Sequence, residues 1–431
     1  MRQTARRYDV VVVGLGGMGS AAAYHLARRG SKVLGLEAHS PVHTFGSSHG
    51  ESRIIRMAYM EHPDYVPLLR RAYELWEQLQ SDANTEILRL TGGLFVGPPE
   101  GPVFGGSLRS AREHNLPHEV LDASEIHRRY PALRPASDQA ALFEESAGVL
   151  FPERCIESHL RGARAAGAEL HHHERVLEWE ATPSGVVVVT EVGRYEADTV
   201  VLTAGAWLGK VLSELRLPLQ PERIPVYWLR PRTHSEMFGA DRFPIHIWEV
   251  EGGHSFYGFP HLERPGVKVG RHHSGESCDP DLVSREITQA DESPIRAFVR
   301  AHIPDLDGPV EEAVVCMYTN TPDEHFLVDR HPDLPNVVYA GGFSGHGFKF
   351  ASVMGEILAD MAMRERPTPA ADFLRADRLL LAPEASLTSV EPEQAPTGRA
   401  GWLRPLCGKS EETCPRAVLP TPYRRRLSRG L

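Results

Sequence analysis

Hydrophobic runs at the start of the chain predict a strand, a turn, a helix and a second strand. The stretch DVVVV at 9–13 is an unbroken, mostly β-branched run, which is typical of a parallel strand buried on both faces. It leads into GLGGMG at 14–19, and the alanine-rich stretch from Ser20 to Arg29 predicts a helix that Gly30 is placed to end. A second strand is predicted from Lys32 to Glu37.

This unit has the spacing of a dinucleotide-binding fingerprint. Gly14, Gly16 and Gly19 form the pattern G-x-G-x-x-G, in which glycines make the turn and let the backbone approach a pyrophosphate. The helix N-terminus offers free N–H groups to the phosphates, and Glu37 can accept hydrogen bonds from ribose hydroxyls. An ordinary glycine turn between strand and helix is the alternative. We predict a nucleotide cofactor, and this motif alone leaves FAD and NAD open.

Two later segments favour FAD. The stretch GSSHGES at 46–52, followed by RIIR, is a loop rich in Gly, Ser and His where a third parallel strand could have stood. The stretch NVVYAGGF at 336–343 predicts a late strand that ends in glycines and precedes a helix. Such a strand can bring a second glycine turn to the cofactor, whereas NAD domains usually complete their site earlier.

The remaining pattern predicts two interleaved domains of an α/β (α+β overall) fold. An amphipathic helix is expected from Tyr65 to Gln80, and short alternating strands between about 218 and 321 predict an antiparallel sheet. The prediction is a Rossmann-like FAD-binding domain with a parallel sheet and an antiparallel-sheet substrate domain. The FAD-binding domain takes 8–80, 148–217 and 322–380, and the substrate domain takes 81–147 and 218–321. Residues 381–431, rich in Pro, Glu, Ser and Thr, predict a disordered or loosely docked tail.

Composition excludes several classes of function. The 431 residues carry a net charge of −10, which gives no support to nucleic-acid binding. Apolar runs are too short to cross a bilayer, and the basic start lacks the apolar core of a signal peptide. Five scattered cysteines make no disulfide framework, so we expect a cytoplasmic protein. Three histidines at 171–173 would alternate between strand faces, so no metal site is predicted.

Six motifs occur in an order that resembles one known family. They are GLGGMG at 14–19, GSSHGESRIIRMAY at 46–59, FYGFP at 256–260, VKVGRHH at 267–273, CMYTNTPDEHF at 316–326 and GGFSGHGFKFASVMGE at 341–356. Together they closely resemble the monomeric sarcosine oxidase family, which includes N-methyltryptophan oxidase and the peroxisomal sarcosine/pipecolate oxidases. The resemblance covers roughly Tyr8 to Leu380.

The resemblance implies a monomeric FAD-dependent amine oxidase. The expected reaction oxidises the C–N bond of an N-methyl or cyclic secondary amino acid to an imine and reduces O2 to hydrogen peroxide. It also implies a thioether between the flavin and Cys316, although a lone cysteine is ordinarily a small buried hydrophobe. Sarcosine, pipecolate or proline, and N-methyltryptophan all stay open as substrates, as does an unusual or carrier-bound imino acid. Alternatives are a flavin dehydrogenase with another electron acceptor, a flavoprotein without turnover, and an NAD-dependent dehydrogenase, which would leave Cys316 unexplained.

Three cationic residues carry most of the implied chemistry. Arg56 and Lys349 match the family's carboxylate-binding pair, since an arginine fork and a lysine point charge together grip a carboxylate. A salt bridge to a nearby acid is the alternative for Arg56, and a solvated helix position is the alternative for Lys349. Lys268 matches the lysine that activates oxygen through its charge. The alternative for Lys268 is a side chain that points to solvent from its strand.

Other positions match the family's pocket by resemblance. His272 corresponds to a histidine near the substrate amine, Tyr257 and Tyr318 to pocket tyrosines, and His49 and Arg53 to residues near the flavin ring; a plain core or hydrogen-bonding role is the alternative for His49 and the tyrosines. The residues expected to bind the cofactor are Gly14, Gly16, Gly19, Glu37, Ser52, Arg53, Cys316, Gly345, His346, Gly347 and Lys349.

The chain departs from the family pattern at two strand positions. Trp248 stands where sarcosine-type members have a smaller, flexible side chain, and Arg271 stands where they have tyrosine. Both are expected to reshape the substrate site, and this leaves the identity of the substrate open.

Overall fold

The computed structural model describes residues 6–182, 185–273, 275–367, 371–380 and 425–426. The predicted tail at 381–431 lies outside this part of the chain, apart from the two-residue strand Arg425–Arg426. Among the residues described, no helix combines the length and the apolar character needed to span a membrane.

The helices alternate with single strands or groups of strands along the chain. In chain order they are α1 (Gly17–Arg28), α2 (Val66–Ala83), α3 (Ser107–Glu113), α4 (Ala123–Arg129), α5 (Pro152–Ala165), α6 (Leu208–Val211), α7 (Gln289–His302), α8 (Ala351–Ala362) and α9 (Asp377–Leu380).

The strands form three sheets. In chain order they are β1 (Arg6–Val13), β2 (Val33–Leu36), β3 (Arg53–Ile55), β4 (Leu88–Leu90), β5 (Gly93–Gly97), β6 (Glu119–Asp122), β7 (Ala140–Glu144), β8 (Gly148–Leu150), β9 (Glu169–His171), β10 (Val176–Thr182), β11 (Gly185–Thr190), β12 (Arg194–Leu202), β13 (Gln220–Leu229), β14 (Ile245–Glu249), β15 (Ser255–Gly258), β16 (Val267–His272), β17 (Val310–Asn320), β18 (Leu327–Arg330), β19 (Val337–Gly341) and β20 (Arg425–Arg426).

The first sheet is built around the predicted nucleotide-binding strands. β1 lies between β2 and β12 and pairs parallel with both, and β9 continues the parallel sheet beyond β2. One edge of β12 is shared, because β11 pairs antiparallel with its first half and β19 pairs parallel with its second half. The late strand predicted from the stretch at 336–343 is therefore part of the same sheet as β1.

The second sheet is almost entirely antiparallel. Its order is β17-β13-β16-β15-β14-β5-β7-β6, and the pair β14–β5 is parallel. The predicted class, a parallel sheet with a separate antiparallel sheet, is confirmed. The residue boundaries of the two domains stay a prediction, and β4, which was assigned to the substrate domain, pairs with β8 in a small third sheet that also contains β3.

Helix α1 packs very closely against helix α8. It starts at Gly17, earlier than the sequence predicts, and packs against α5 and α8. A Cβ atom on Gly355 of α8 would lie 2.4 Å from the Ala21 side chain and 2.5 Å from its backbone carbon. Glycine at this position therefore lets the two helices approach until their backbones touch.

We expect Gly355→Ala to destabilise the protein although alanine favours helices. The new methyl group meets backbone rather than a flexible side chain, so the overpacking should lower the free energy of unfolding by about 1–3 kcal/mol. Chemical denaturation measures this loss. Gly209→Ala in α6 is the matched control, because its nearest contact would be 3.8 Å away. Equal stability of the two variants would contradict the close approach of α1 and α8.

Candidate active site

A cavity of about 1270 Å³ lies between the parallel sheet and one face of the antiparallel sheet. The parallel sheet contributes the glycine turn after β1 and the turn after β19. The antiparallel sheet contributes residues from the edge strand β17 and the four strands that follow it in the sheet, which include Ile224, Val226, Ile247, Tyr257, Lys268, His272, Cys316 and Tyr318. Because side chains alternate along a strand, one face of this sheet forms a wall of the cavity.

The glycine turn at one end of the cavity has the form that a pyrophosphate needs. Gly14 has φ +87°, and a Cβ there would lie 2.7 Å from the Thr203 carbonyl oxygen. Helix α1 begins at Gly17 without a side-chain cap, so its first N–H groups are available to an anion. Gly14 and Gly16 line the cavity. Backbone crowding and free helix amides therefore fit a dinucleotide phosphate.

Gly19 lets the helix pack on the glycine turn. It does not line the cavity, because it lies on the inner side of α1, where a Cβ would come within 1.8 Å of the Gly14 carbonyl oxygen. Its direct binding to the cofactor stays a prediction.

Glu37 holds the glycine turn through its carboxylate. Its Oε2 accepts a hydrogen bond from the Leu15 N–H at 2.9 Å, and its Oε1 accepts one from the His39 N–H at 3.1 Å. Burial alone would raise the pKa of Glu37, but hydrogen bonds from His43 and the Leu15 N–H hold it below its ordinary value. The carboxylate is therefore ionised and lies where ribose hydroxyls could reach it.

Cys316 lies on the cavity wall, on β17. Of the cysteines described, Cys155, Cys278 and Cys316, it alone lines the cavity. Its Sγ is 3.7 Å from Nη2 of Arg53 and 3.5 Å from the carbonyl oxygen of Ser47. Arg53 also donates to the Ser47 and Ser52 carbonyl oxygens, so it ties the loop at 47–52 to the thiol.

Lys268 points into the protein rather than toward solvent. Its side chain is buried, and Nζ donates to the carbonyl oxygen of Gly50 at 2.5 Å, to that of Ser52 at 3.0 Å and to the Ser52 hydroxyl at 3.2 Å. Burial, with a further contribution from Arg53, lowers the pKa of Lys268 well below its ordinary value. The solvent-facing alternative is therefore wrong.

Arg56 and Lys349 lie in one buried region of the cavity wall, and Glu61 lies with them. Nη2 of Arg56 donates to both carboxylate oxygens of Glu61, at 2.8 and 2.6 Å. Nζ of Lys349 donates to the His346 carbonyl oxygen at 2.5 Å. The salt bridge considered for Arg56 is thus present, whereas Lys349 is buried and not a solvated helix residue.

The charge of Arg56 shifts the pKa values of both Lys349 and Glu61. Burial and the charge of Arg56 lower the pKa of Lys349 to about 7. Burial would raise the pKa of Glu61, but Arg56 lowers it to about 2. Nε of Arg56 has no hydrogen-bond partner within the described ranges, although it is buried. The arginine therefore keeps one unused donor beside a lysine that is close to deprotonation at neutral pH.

Neutral aromatic and imidazole groups line the cavity between the cations. Nδ1 of His272 lies 3.3 Å from the Tyr318 hydroxyl, and burial lowers the pKa of His272 to about 3. Burial raises the pKa of Tyr257 to about 12 and that of Tyr318 well above its ordinary value. Burial and Arg53 lower the pKa of His49 to about 3. These side chains are therefore uncharged hydrogen-bonding groups at neutral pH.

Comparison with known proteins identifies the family to which this cavity belongs. The sequence model of the family described as FAD dependent oxidoreductase matches residues 9–361. The chain belongs to this family. The monomeric sarcosine oxidase of Streptomyces avermitilis is 47% identical over 359 residues, which are 83% of this chain and 94% of that protein. The N-methyl-L-tryptophan oxidase of Salmonella arizonae is 36% identical over 84% of this chain and 96% of its own length.

Solved structures agree with this assignment. NikD, an unusual amino acid oxidase essential for nikkomycin biosynthesis, superimposes with a TM-score of 0.76 at 26% identity over 86% of this chain and 98% of that one. The L-proline dehydrogenase of P. horikoshii has a TM-score of 0.75 at 21% identity, over 88% and 99%, and shares the fold. The resemblance to the monomeric sarcosine oxidase family is confirmed, and the protein is an FAD-dependent oxidoreductase.

Two residues expected to reshape the substrate site of this FAD-dependent oxidoreductase lie elsewhere. Trp248 is fully buried on the opposite face of β14, where its ring packs against Phe298 and His302. Arg271 lies on the opposite face of β16 and donates to His254. The neighbouring residue on β14, Ile247, lines the cavity instead. The predictions for Trp248 and Arg271 are wrong because each strand presents the adjacent residue to the cavity.

The other predicted site residues are brought together, with two additions. Those that line the cavity are Gly14, Gly16, Glu37, His49, Ser52, Arg53, Arg56, Tyr257, Lys268, His272, Cys316, Tyr318, Gly345, His346, Gly347 and Lys349. Glu61 and Ile247 were missed. An acid shortly after Arg56 is the only sequence signal for Glu61, and the strand register needed for Ile247 cannot be obtained from composition. Within the described part of the chain there is no His, Cys, Asp and Glu group suited to a metal ion, and His171 pairs with Glu169 and Glu174.

Glu61→Gln is expected to destabilise the FAD-loaded protein. The change removes the carboxylate charge beside Arg56 and Lys349, and breaking a buried ion pair costs about 3 kcal/mol. Glu74→Gln is the control, because Glu74 pairs with Arg71 at the surface and should contribute less than about 1 kcal/mol. The free energies of unfolding of both variants measure the difference. If they are equal, Glu61 does not balance the buried cations.

Proposed function

We propose that the protein oxidises the C–N bond of a small N-methyl or cyclic secondary amino acid to an imine and reduces O2 to hydrogen peroxide. The observation that carries this proposal is the buried pair Arg56 and Lys349 at the flavin end of the cavity, with one arginine donor unused. Similarity to sarcosine and N-methyl-L-tryptophan oxidases supports the substrate class.

FAD, when bound, would supply the redox chemistry by accepting a hydride equivalent, one proton and two electrons, from the substrate. The chain's residues fit it: Gly14 and the start of α1 would hold the pyrophosphate, and Glu37 would hold the ribose. Cys316 would anchor the flavin through a thioether, which is supported by its place on the cavity wall beside Arg53.

Arg56 and Lys349 would bind the substrate carboxylate in place of Glu61. Exchanging one carboxylate for another keeps the arginine paired, but it requires Glu61 to move to another partner or to solvent, because a buried carboxylate left without its partner is unfavourable. Nζ of Lys349 has donors beyond the one given to the His346 carbonyl. A substrate that lacks the carboxylate would have to leave Glu61 in position.

The uncharged groups would orient the amine. A neutral His272 can accept a hydrogen bond from a substrate N–H, and Tyr257 and Tyr318 retain their protons and can donate. Ile247 adds an apolar contact on the same wall. Lys268 and Arg53 would provide positive charge where electrons pass to O2. Use of O2, a monomeric state and a cytoplasmic location belong to this proposal.

A substrate panel tests the reaction. Sarcosine, L-proline, L-pipecolate and N-methyl-L-tryptophan should include at least one compound that yields peroxide, whereas dimethylamine should not, because it has no carboxylate for Arg56. Peroxide release and anaerobic bleaching of the flavin are measured separately. Bleaching without peroxide in air would favour a dehydrogenase with another acceptor, and no bleaching with any compound would refute the substrate class.

Cys316→Ala tests the flavin anchor. After acid precipitation, yellow flavin should stay with the wild-type protein and be lost from the variant, because the thiol is the atom that would form the thioether. Cys155→Ala is the matched control, since Cys155 is buried in the core away from the cavity. Release of flavin from the wild-type protein would refute the covalent link and leave the oxidase proposal standing on the panel.

A further inference from the structure

The turn that receives Lys268 is held from its other side by a carboxylate. Oε1 of Glu153, in the first turn of α5, accepts hydrogen bonds from the N–H of Gly50 at 2.7 Å and from that of Glu51 at 3.0 Å. The carbonyl oxygens of Gly50 and Ser52 on this turn accept from Nζ of Lys268. A continuous chain of hydrogen bonds therefore joins Glu153, the turn and the buried lysine.

The turn needs support from outside because its backbone is strained. Gly50 has φ +92°, and Glu51, which is not glycine, has φ +67°. A left-handed conformation is uncommon for a residue with a Cβ and persists where surrounding contacts determine it. The Glu51 carboxylate is used elsewhere, since it accepts from Nε1 of Trp228 and from the N–H groups of Glu263 and Arg264. Glu153 is thus the carboxylate that binds the turn itself.

The charge around Lys268 comes from groups on several elements. Arg53 on β3 opposes its ammonium, whereas Glu153 on α5, Glu51 on the turn and Cys316 on β17, when it is an ionised thiolate, favour it; His49 is nearby and neutral. The rings of Trp228 and Phe259 lie 5.2 and 5.0 Å from Nζ. In the described ranges no carboxylate forms an ion pair with Lys268, and its direct acceptors are neutral oxygens. Glu153 and Glu51 therefore supply negative charge that offsets the burial of Lys268, although neither carboxylate contacts the lysine.

We propose that Glu153 is a positioning residue for Lys268: through the turn at 50–52 it fixes the lysine's acceptors and keeps the ammonium protonated at the flavin. The role in oxygen reduction rests on the proposed function of Lys268. Glu153 reaches neither the cavity lining nor Lys268 directly, so it acts only through the turn.

Glu153→Gln isolates the charge. One oxygen accepts both backbone hydrogen bonds, so a glutamine with its oxygen in the same place keeps them and loses only the negative charge. Glu157→Gln, one turn later on α5 and exposed, is the matched control. Glu153→Asp keeps the charge and gives a second variant should the glutamine variant lose flavin.

The experiment measures reoxidation of dithionite-reduced, FAD-loaded protein by O2 across pH, and reduction by substrate without oxygen. Loss of a negative charge makes the lysine easier to deprotonate, so its pKa falls. The decline in the reoxidation rate at high pH therefore begins at a lower pH. We expect a downward shift of about one pH unit, and about tenfold slower reoxidation above it, in Glu153→Gln. Glu157→Gln should keep the wild-type pH profile, and Glu153→Asp, which keeps the charge on a shorter side chain, should shift it less than Glu153→Gln does. Reduction of the flavin by substrate should be unchanged in all three.

Lys268→Met separates the two proposals. If it reoxidises slowly while Glu153→Gln keeps the wild-type profile, the positioning role of Glu153 is overturned and the role of Lys268 stands. If Lys268→Met reoxidises as fast as the wild type, the proposed role of Lys268 is wrong, and the inference about Glu153 falls with it. If the reoxidation rate of Glu157→Gln declines at the same lowered pH as that of Glu153→Gln, the inference is also overturned, because the shift would reflect a general charge effect.

Discussion

Three buried cations, Arg56, Lys268 and Lys349, impose the constraint on which the cavity depends. Each of them lies on an apolar wall, where an uncompensated charge is strongly unfavourable. The chain compensates them in different ways. Arg56 has a full carboxylate in Glu61, whereas Lys268 and Lys349 rely on carbonyl and hydroxyl oxygens. The two lysines accordingly have lowered pKa values, and their charge depends on how the surrounding backbone is held.

This constraint explains why three distant segments converge. The stretch from Gly50 to Glu61 supplies acceptors for both Lys268 and Arg56, the strand β16 supplies Lys268, and the turn after β19 supplies Lys349 and its acceptor at His346. Neither large sheet could form this site alone, because acceptors flank β3 of the small sheet and follow β19 of the first sheet, while Lys268 comes from the antiparallel sheet. The acceptors and the cations meet because segments of the different sheets alternate along the chain.

Much of the fold could be predicted from sequence because it depends on local patterns. The strand, glycine turn and helix at 9–28 follow from apolar runs and glycine spacing, and α2 follows from helical periodicity. In the candidate site, the glycine turn and Glu37 follow from motif spacing, whereas Cys316 and Lys349 could be predicted only through resemblance, since no period or spacing marks them. The errors have a physical cause: Trp248 and Ile247 point to opposite faces of β14, and pairing of Ile247 with Tyr257 decides which faces the cavity. That register depends on long-range strand pairing.

The ion pair at Arg56 bears on what the proposed function can accept. Both oxygens of Glu61 accept from Nη2 of Arg56, and Arg56 holds the Glu61 carboxylate ionised. Under the proposed function, a ligand that displaces Glu61 would have to offer a carboxylate, because a neutral group would replace a charge-assisted contact with a weaker one. His272 and the tyrosines, all uncharged, give no counterion to the ammonium form of an amine. For the proposed oxidation, these features favour an amino acid that enters with its carboxylate ionised and its nitrogen neutral.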